Sequence, residues 1–475
     1  MISEFLSYSI VPLLSALAIP FLGRKNEKIT EILANVTILA GLINIGYILF
    51  NPSNHRNQYS TFTQDGFTLL MIFTIYLVAM CVVFFSTRMN DRKIDKNSYY
   101  PLIMLSVSAM CSMVMARDFF TLYIFMEALA VTSFALITTD DGRGGIEGAL
   151  KYFLLTFPAS ALIIIGLALL MIVSGGFSFE HIQAQIIGAP DFLTFLALSL
   201  ILLGFLIKSG MVPFHFWTPD AYQGSYSPVS AYLAGIVTKI SGVYAIIRLS
   251  MFFKLFDDKA YKASEMLLLI GFASIAWGAI AAMRQKDFKR MLAFSSISQL
   301  GYILMGAGTF TTLGIIAAIF HLFNHATFKT TLFLNSASLE KNAGTTDMKK
   351  LGGMEHNMPV TSWTSIIALF STAGVPPLSG FWSKIMIIIA LWMTGSEFYA
   401  AAALIFSIVT LAYFMIMQKK IFFGKANPEF AHVKEVDFTL LSPVLLMSAI
   451  IIAAGVFFPY VYDYLANTIA TRMVI

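Results

Sequence analysis

FLIKSGMVPFHFWTPDA, residues 205–221, sets a lysine, Lys208, inside an apolar run and follows it at once with a Ser-Gly-Met-Val-Pro break. An ammonium at bilayer depth costs several kcal/mol and is rarely kept without a use. The same pattern recurs along the chain. Glu127 lies in FFTLYIFMEALAVTSFALI (119–137) and Lys239 in VSAYLAGIVTKISGVYAII (229–247). His321, His325 and Lys329 lie in IIAAIFHLFNHATFKTTLFL (315–334), and Lys384 in LSGFWSKIMIIIALW (378–392). One acid and several bases, spread over separate apolar runs, read as a pathway for charge or protons through a membrane.

Composition sets the class. The 475 residues are 58% hydrophobic and 12% charged, with mean hydropathy +0.77, whereas a soluble domain carries about 25% charged residues. Apolar runs, each of the length that crosses a bilayer as a helix, follow one another, which predicts an all-α polytopic membrane protein rather than a barrel of short alternating strands. The formal net charge of +5 is then a matter of topology, and no nucleic-acid partner is expected. Cys81 and Cys111 sit in apolar runs without CxxC or CxH spacing, so neither iron–sulfur cluster, zinc site nor disulfide is expected. No redox-cofactor motif is present either, so no cofactor is expected. Residues 1–25 carry Glu4, lack a basic leading segment and run directly into Arg24, Lys25 and Lys28, which predicts a retained first span rather than a signal peptide.

Fourteen spans are expected, at 3–23, 30–50, 65–87, 99–116, 118–138, 148–174, 192–217, 227–252, 264–283, 289–308, 311–337, 359–394, 398–422 and 438–465. The seventh is interrupted at SGMVP and the twelfth, too long for one straight crossing, at VPPLSG, which predicts two broken helices. Loops after odd-numbered spans hold Arg24, Lys25, Lys28, Arg88, Arg92, Lys93, Lys96, Arg143, Arg284, Lys286, Lys289, Arg290, Lys341, Lys349, Lys350, Lys419, Lys420, Lys425 and Lys434. The other side holds Arg56, Arg117, Lys254, Lys259, Lys262 and Arg472. A bias of roughly threefold places both termini away from the cytoplasm. The interval from Pro101 to Pro213, from the start of the fourth span to the first break, nearly equals that from Glu265 to Pro376, from the start of the ninth to the second. Matching landmarks at matching intervals predict two inverted five-helix repeats, with an ion site near the breaks. The expected units are an N-terminal three-helix segment (1–98), a first repeat (99–253), a second repeat (264–423) and a C-terminal helix (438–475).

Each polar residue has a competing, ordinary reading. Glu127 is either an acid facing a loop or a deep group; Arg117 and Asp118 already mark that helix end, about 13 Å away by helical rise. Lys208 either snorkels or is hosted by the unwound backbone beside it, with Glu127 as its counter-ion. Lys239 has Gly235, Ile236, Gly242 and Val243 as same-face neighbours, so its partner is expected from another helix or from water; its ordinary reading is a lysine satisfied by backbone carbonyls in the bundle. His321, His325 and Lys329, spaced by four, share one helix face. Two histidines four apart suit a metal, but no third ligand is evident nearby, and a proton relay fits better because imidazole accepts at one nitrogen while donating at the other. Lys384 either ends the path or snorkels. Arg248 reads as an interface anchor, Lys151 as a snorkelling residue at the start of a span, and Asp220 and His215 as caps or hydrogen-bonding groups beyond the first break.

In order along residues 100–390, the stretches LYIFMEALAVTSFALI, GALKYFLLTFPASALIIIG, IKSGMVPFHFWTPDAYQGSYSPVSAYLAGIVTKISGVYAIIRL, DFKRMLAFSSISQLGYILMG, FHLFNHATFKTTLFLNSASL and AGVPPLSGFWSK resemble the antiporter-like subunits shared by respiratory complex I, membrane-bound hydrogenases and Mrp-type cation/proton antiporters. The resemblance implies a fourteen-helix core and a line of charged residues and water along the membrane midplane. It implies that Glu127 is the acidic partner of Lys208, that Lys239 is the central lysine, that His325 belongs to the eleventh helix, and that Lys384 stands on the broken twelfth. It implies partners: other antiporter-like and small membrane subunits in the lipid bilayer, with a peripheral redox arm if the complex is redox-driven. The expected function is a proton- or sodium-translocating subunit of a redox-driven complex without its own redox site, in a prokaryotic cytoplasmic membrane. A D-type Mrp subunit and a non-pumping scaffold are the alternatives. Lys384 stands where one branch of the family has glutamate. The chain stops soon after the fourteenth expected span, so the long lateral helix of the distal complex I subunit is not expected.

Overall fold

The computed structural model describes residues 2–23, 26–50, 65–89, 94–139, 142–179, 181–182, 192–253 and 257–470. Arg24, Lys25, Arg56, Arg92, Lys93, Lys254 and Arg472, which carry part of the topology expectation, lie outside the described residues.

Helices follow one another throughout: α1 (Ile2–Leu22), α2 (Glu27–Phe50), α3 (Gly66–Ser86), α4 (Lys96–Met115), α5 (Phe119–Ile137), α6 (Arg143–Ser174), α7 (Phe192–Lys208), α8 (Trp217–Gly224) and α9 (Ser227–Tyr232). The last continues through two π-helical stretches, Leu233–Val237 and Lys239–Tyr244, into α10 (Ala245–Phe253). Beyond it come α11 (Asp257–Met283), α12 (Phe288–Gly308), α13 (Thr312–Ala343), α14 (Met354–Asn357), α15 (Pro359–Ala373), α16 (Ser379–Met393), α17 (Glu397–Ile421), α18 (Phe438–Val456) and α19 (Phe458–Ala470). Among the described residues ten helices are long and apolar enough to cross a membrane, and three apolar helices, Ser7–Leu22, Phe192–Lys208 and Ser379–Met393, are shorter. α13 is outside both groups because histidines, an asparagine and a lysine interrupt its apolar sequence. It is nonetheless buried without interruption from Gly314 to Leu339, packed among α3, α9, α12, α15, α16 and α18.

One set of landmarks is built twice. The Asp118 side chain caps α5 by accepting from the Thr121 amide, and Asp287 caps α12 by accepting from that of Arg290. Aspartate suits both positions because the first amides of a helix have no partner within it. Beside each cap the chain doubles back through a short antiparallel bridge, Asp118 with Ser178 and Asp287 with Asp347. Phe119 N donates to Phe177 O and Phe288 N to Thr346 O. α6 and α13 are both 32 residues long and end at left-handed glycines, Gly175 (φ 72°) and Gly344 (φ 67°). The offset in sequence is identical for every one of these pairs, from 118 to 287, from 178 to 347 and from 175 to 344.

Both expected breaks are present. α7 stops at Lys208 and α15 at Ala373, each followed closely by a positive-φ glycine, Gly210 (φ 68°) or Gly374 (φ 86°), and a cis X-Pro bond, Val212–Pro213 or Pro376–Pro377. The expected span 438–465 differs: it is two helices, parted at Phe457. Pro459 supplies the reason, since it lacks an amide to continue the ladder and its ring crowds the carbonyl four residues earlier. That carbonyl, Gly455 O, accepts instead from the Trp382 indole at 2.9 Å, which docks the end of α18 on the second break.

The first break is held by close backbone approach. A Cβ on Gly242 would lie 2.7 Å from Phe205 O and 2.8 Å from Ser209 N, so the π-helical segment rests directly on the end of α7. Gly242→Ala is expected to destabilise the protein by about 1–3 kcal/mol, since backbone cannot swing aside as a side chain does. Gly46, whose Cβ would meet nothing within 4 Å, is the control: Gly46→Ala is expected to be neutral or stabilising by up to about 1 kcal/mol. Melting temperatures of the purified variants in detergent check both.

Candidate ion-translocation site

Lys208 is the last residue of α7 and only 3% exposed, and its Nζ donates to Glu127 Oε1 of α5 at 2.9 Å. Ser160 of α6 donates to the same oxygen at 2.7 Å. Three helices therefore meet on one carboxylate atom. The Glu127 side chain is 32% exposed, so the pair has one buried end and one open end.

Lys239 takes a backbone carbonyl, as its ordinary reading has it, but from its own helix rather than from another helix or water. Its Nζ donates to Ala234 O and to Thr238 Oγ1, the latter at 3.1 Å, both on its own helix. Regular winding aims the side chain at Gly235, Ile236, Gly242 and Val243 and offers it nothing. The two π-helical stretches wind more loosely, and the carbonyl five residues earlier comes into reach. Interruptions of this kind are frequent at functional sites. Tyr222 of α8 completes the arrangement, its hydroxyl 2.8 Å from Thr238 Oγ1.

The polar stripe of α13 is intact and wholly buried. Lys329 Nζ donates to Leu292 O (3.0 Å) and Ser295 Oγ (2.8 Å) on α12. His321 Nδ1 lies 2.8 Å from Ser383 Oγ, and Asn324 donates to Ser379 O and Ser383 Oγ, so α13 clamps the start of α16. Lys384 is 2% exposed and sits 4.3 Å from the centroid of the Tyr302 ring, with Ser407 Oγ at 3.4 Å. Lys239, Lys329 and His321 all lie within electrostatic reach of His325, and Lys384 within reach of His321 and Lys329. The structure thus gathers Lys239, His321, His325, Lys329 and Lys384 into one buried group. Lys208 and Glu127 join it through packing, because Gly242, three residues beyond Lys239, lies against Ser209.

Other charges take different places. Arg248 makes a bidentate pair with Asp65 (2.6 and 2.8 Å), bonds Thr68 and Tyr244, and lies 4.8 Å from the Phe67 ring centroid; it ties α10 to the cap of α3. Lys151 bridges Glu147 (2.5 Å) and Asp220 (2.6 Å) rather than snorkelling. Arg290 holds the other oxygen of Asp220 and also Gln223, linking α6, α8 and α12. The Trp277 indole donates to His215 Nε2 at 2.8 Å. Sequence reasoning passed over Ser160, Ser295, Tyr302 and Ser383. The repeat was the available signal for Ser160, because the offset that relates Asp118 to Asp287 also relates Ser160 to Lys329.

Comparisons with known proteins agree with this architecture. The family described as NADH:quinone oxidoreductase/Mrp antiporter, TM, matches residues 116–410. The chain is 36% identical over 433 residues to the A-type Na+/H+ antiporter subunit of Alkalihalophilus pseudofirmus, covering 84% of this chain and 52% of that one. It is 30% identical to the D-type Na+/H+ antiporter subunit of the same organism (84% and 81% covered) and 29% identical to NADH-quinone oxidoreductase subunit N of Thioalkalivibrio sulfidiphilus (92% and 91%). The chain spans about half the length of the A-type relative and most of the other two. Its fold is that of a chain in the Mrp complex from Dietzia sp. DQ12-45-1b (TM-score 0.87, 24% identity, 100% and 99% covered) and of a chain in respiratory complex I from Thermus thermophilus (TM-score 0.87, 22% identity, 99% of each). The chain belongs to the NADH:quinone oxidoreductase/Mrp antiporter transmembrane family.

Proposed function

We propose that this chain is an ion-translocating, antiporter-like membrane subunit of a multi-subunit complex, with Glu127, Lys208, Lys239, His321, His325, Lys329 and Lys384 as its translocation residues. The observation that carries the reading is the Lys208–Glu127 pair, 2.9 Å apart at the end of a broken helix, beside a buried group of five further ionisable residues. Burial opposes the charge of Lys208, while the carboxylate beside it supports that charge. A group held between those two effects changes proton occupancy with a small change in surroundings. Movement at the open side of Glu127 then alters the hold on Lys208, and a proton passes through Lys239 and the α13 stripe to Lys384.

The open side also supports the partners. Glu127 lies on α5 in register with Phe120, Ile124, Val131 and Phe134, all exposed. A carboxylate facing lipid is costly, so this apolar face suits another membrane protein of the same complex. An electron-driven complex and a cation/proton antiporter both have a place for such a chain; identity to the two Na+/H+ antiporter relatives favours the second. The constant offset between paired landmarks supports the repeat units at 99–253 and 264–423, with 1–98 and 438–475 as the flanking units. The ten long apolar helices, the three shorter ones and the buried α13 together support fourteen crossings; the bacterial relatives support a prokaryotic cytoplasmic membrane, and the loop charges support both termini on its outer side.

Lys208→Ala in the assembled complex is expected to abolish or strongly reduce ion transport while assembly persists; full coupled transport by that complex refutes the role. Glu127→Gln is expected to lower transport as well, and adding it to Lys208→Ala to change little further, because members of one network are non-additive. Losses that multiply in the double variant show two independent residues. Terminal cysteines on oriented vesicles are expected to react with an impermeant reagent from the non-cytoplasmic side, and reaction only from the cytoplasmic side refutes the topology.

A further inference from the structure

One buried polar side chain between Lys329 and Lys384 has no role in the pathway so far. Gln299 of α12 is fully buried, and neither its Oε1 nor its Nε2 has a hydrogen-bond partner among the described residues. Its position follows from its neighbours. Ser295 bonds Lys329, the backbone of Ser296 lies beside the His325 ring without meeting hydrogen-bond geometry, and the Tyr302 ring stands 6.0 Å from that of His321. Residues three and four apart share a helix face, so Gln299 is carried on the side of α12 that meets the α13 stripe, at the level of His325. His325 is also fully buried, with neither ring nitrogen hydrogen-bonded among the described residues.

A primary amide left without partners in an apolar interior is costly, and most buried polar atoms in proteins do find a partner. The scaffold itself has no need of an amide here: at the matching place on α5, one repeat earlier, stands Ala130. An amide and an imidazole together present donors and acceptors in both directions, the setting in which buried water is retained with about three hydrogen bonds.

We infer that Gln299 and His325 hold bound water between them, and that Gln299 is a positioning residue for the proton step along α13. The amide neither gains nor loses a proton. Its Nε2 donates to the water and its Oε1 accepts from it. The oriented water passes one proton to the accepting nitrogen of His325 as it takes one from the neighbouring donor, and the imidazole releases a proton from its other nitrogen, so no net charge is left behind. The step rests on the proposed translocation; the water does not.

Two measurements on the assembled complex test this separately. A density map that resolves ordered water is expected to show one within hydrogen-bond distance of both Gln299 and His325. A direct Gln299–His325 hydrogen bond, or a dry gap, overturns the inference whatever the transport result. In proteoliposomes, Gln299→Met, similar in length but unable to hold the water, is expected to slow transport by about tenfold or more and to change its rate ratio between H2O and D2O, with Gln299→Asn recovering part of the rate. Gln299→Ala serves where the methionine variant does not assemble. Wild-type rate and isotope ratio in an assembled Gln299→Met or Gln299→Ala complex overturn the positioning role. A wild-type complex that moves no ion defeats the proposed function instead, and the density then decides the water alone.

Discussion

A buried ammonium must be given oxygen atoms or an aromatic face, and the irregular parts of this protein lie where that need is met. Lys208 obtains a carboxylate by ending its helix opposite Glu127. Lys239 obtains a carbonyl and a hydroxyl from its own chain where the helix loosens into π winding. Lys329 borrows the Leu292 carbonyl and the Ser295 hydroxyl from α12, and Lys384 lies against the Tyr302 ring beside the second break. A regular helix commits its carbonyls to its own ladder, and the Leu292 carbonyl of α12 accepts from Lys329 as a second donor. At Lys239 the π winding brings a carbonyl of the same helix into reach instead.

The four environments differ, and the difference bears on how charge moves. Only Lys208 has a carboxylate partner, and only that pair has an open side. The others rely on neutral oxygens and ring faces, which stabilise an ammonium less than a carboxylate does. On the proposed pathway a proton along α13 meets no carboxylate, and the Lys208–Glu127 pair is the one open to a covering partner.

The repeat shows how one scaffold supports two chemistries. Ser160 of α6 and Lys329 of α13 occupy matching places, and each bonds the preceding helix of its own repeat: Ser160 to Glu127, Lys329 to Ser295. Ser296 stands where the same offset puts the counterpart of Glu127. The same helix contact thus carries a hydroxyl on an acid in one copy and an ammonium on a hydroxyl in the other. Arg248, by contrast, is fully engaged by Asp65, Thr68 and Tyr244, and removing one member of a buried pair costs about 3–5 kcal/mol. Its contribution is to anchor α10 to α3.

Much was determined by the sequence alone, because the signals were local. Apolar runs of bilayer-spanning length named the membrane, Gly-Met-Val-Pro and Val-Pro-Pro named the breaks, and charges inside apolar runs singled out Glu127, Lys208, Lys239, His321, His325, Lys329 and Lys384 as candidates. Equal spacing of landmarks named the repeat. Only the tertiary structure decided which oxygen each charge meets. Lys239 turned to its own backbone because the winding loosened from that of an α-helix, a change that no residue type in LAGIVTKISGVY announces. Phe457 parted the last span because Pro459 freed a carbonyl that the indole of Trp382, on another helix, was placed to reach. Ser160 and Tyr302 read as ordinary helix residues in the sequence, and their partners become defined only when another helix is laid against them.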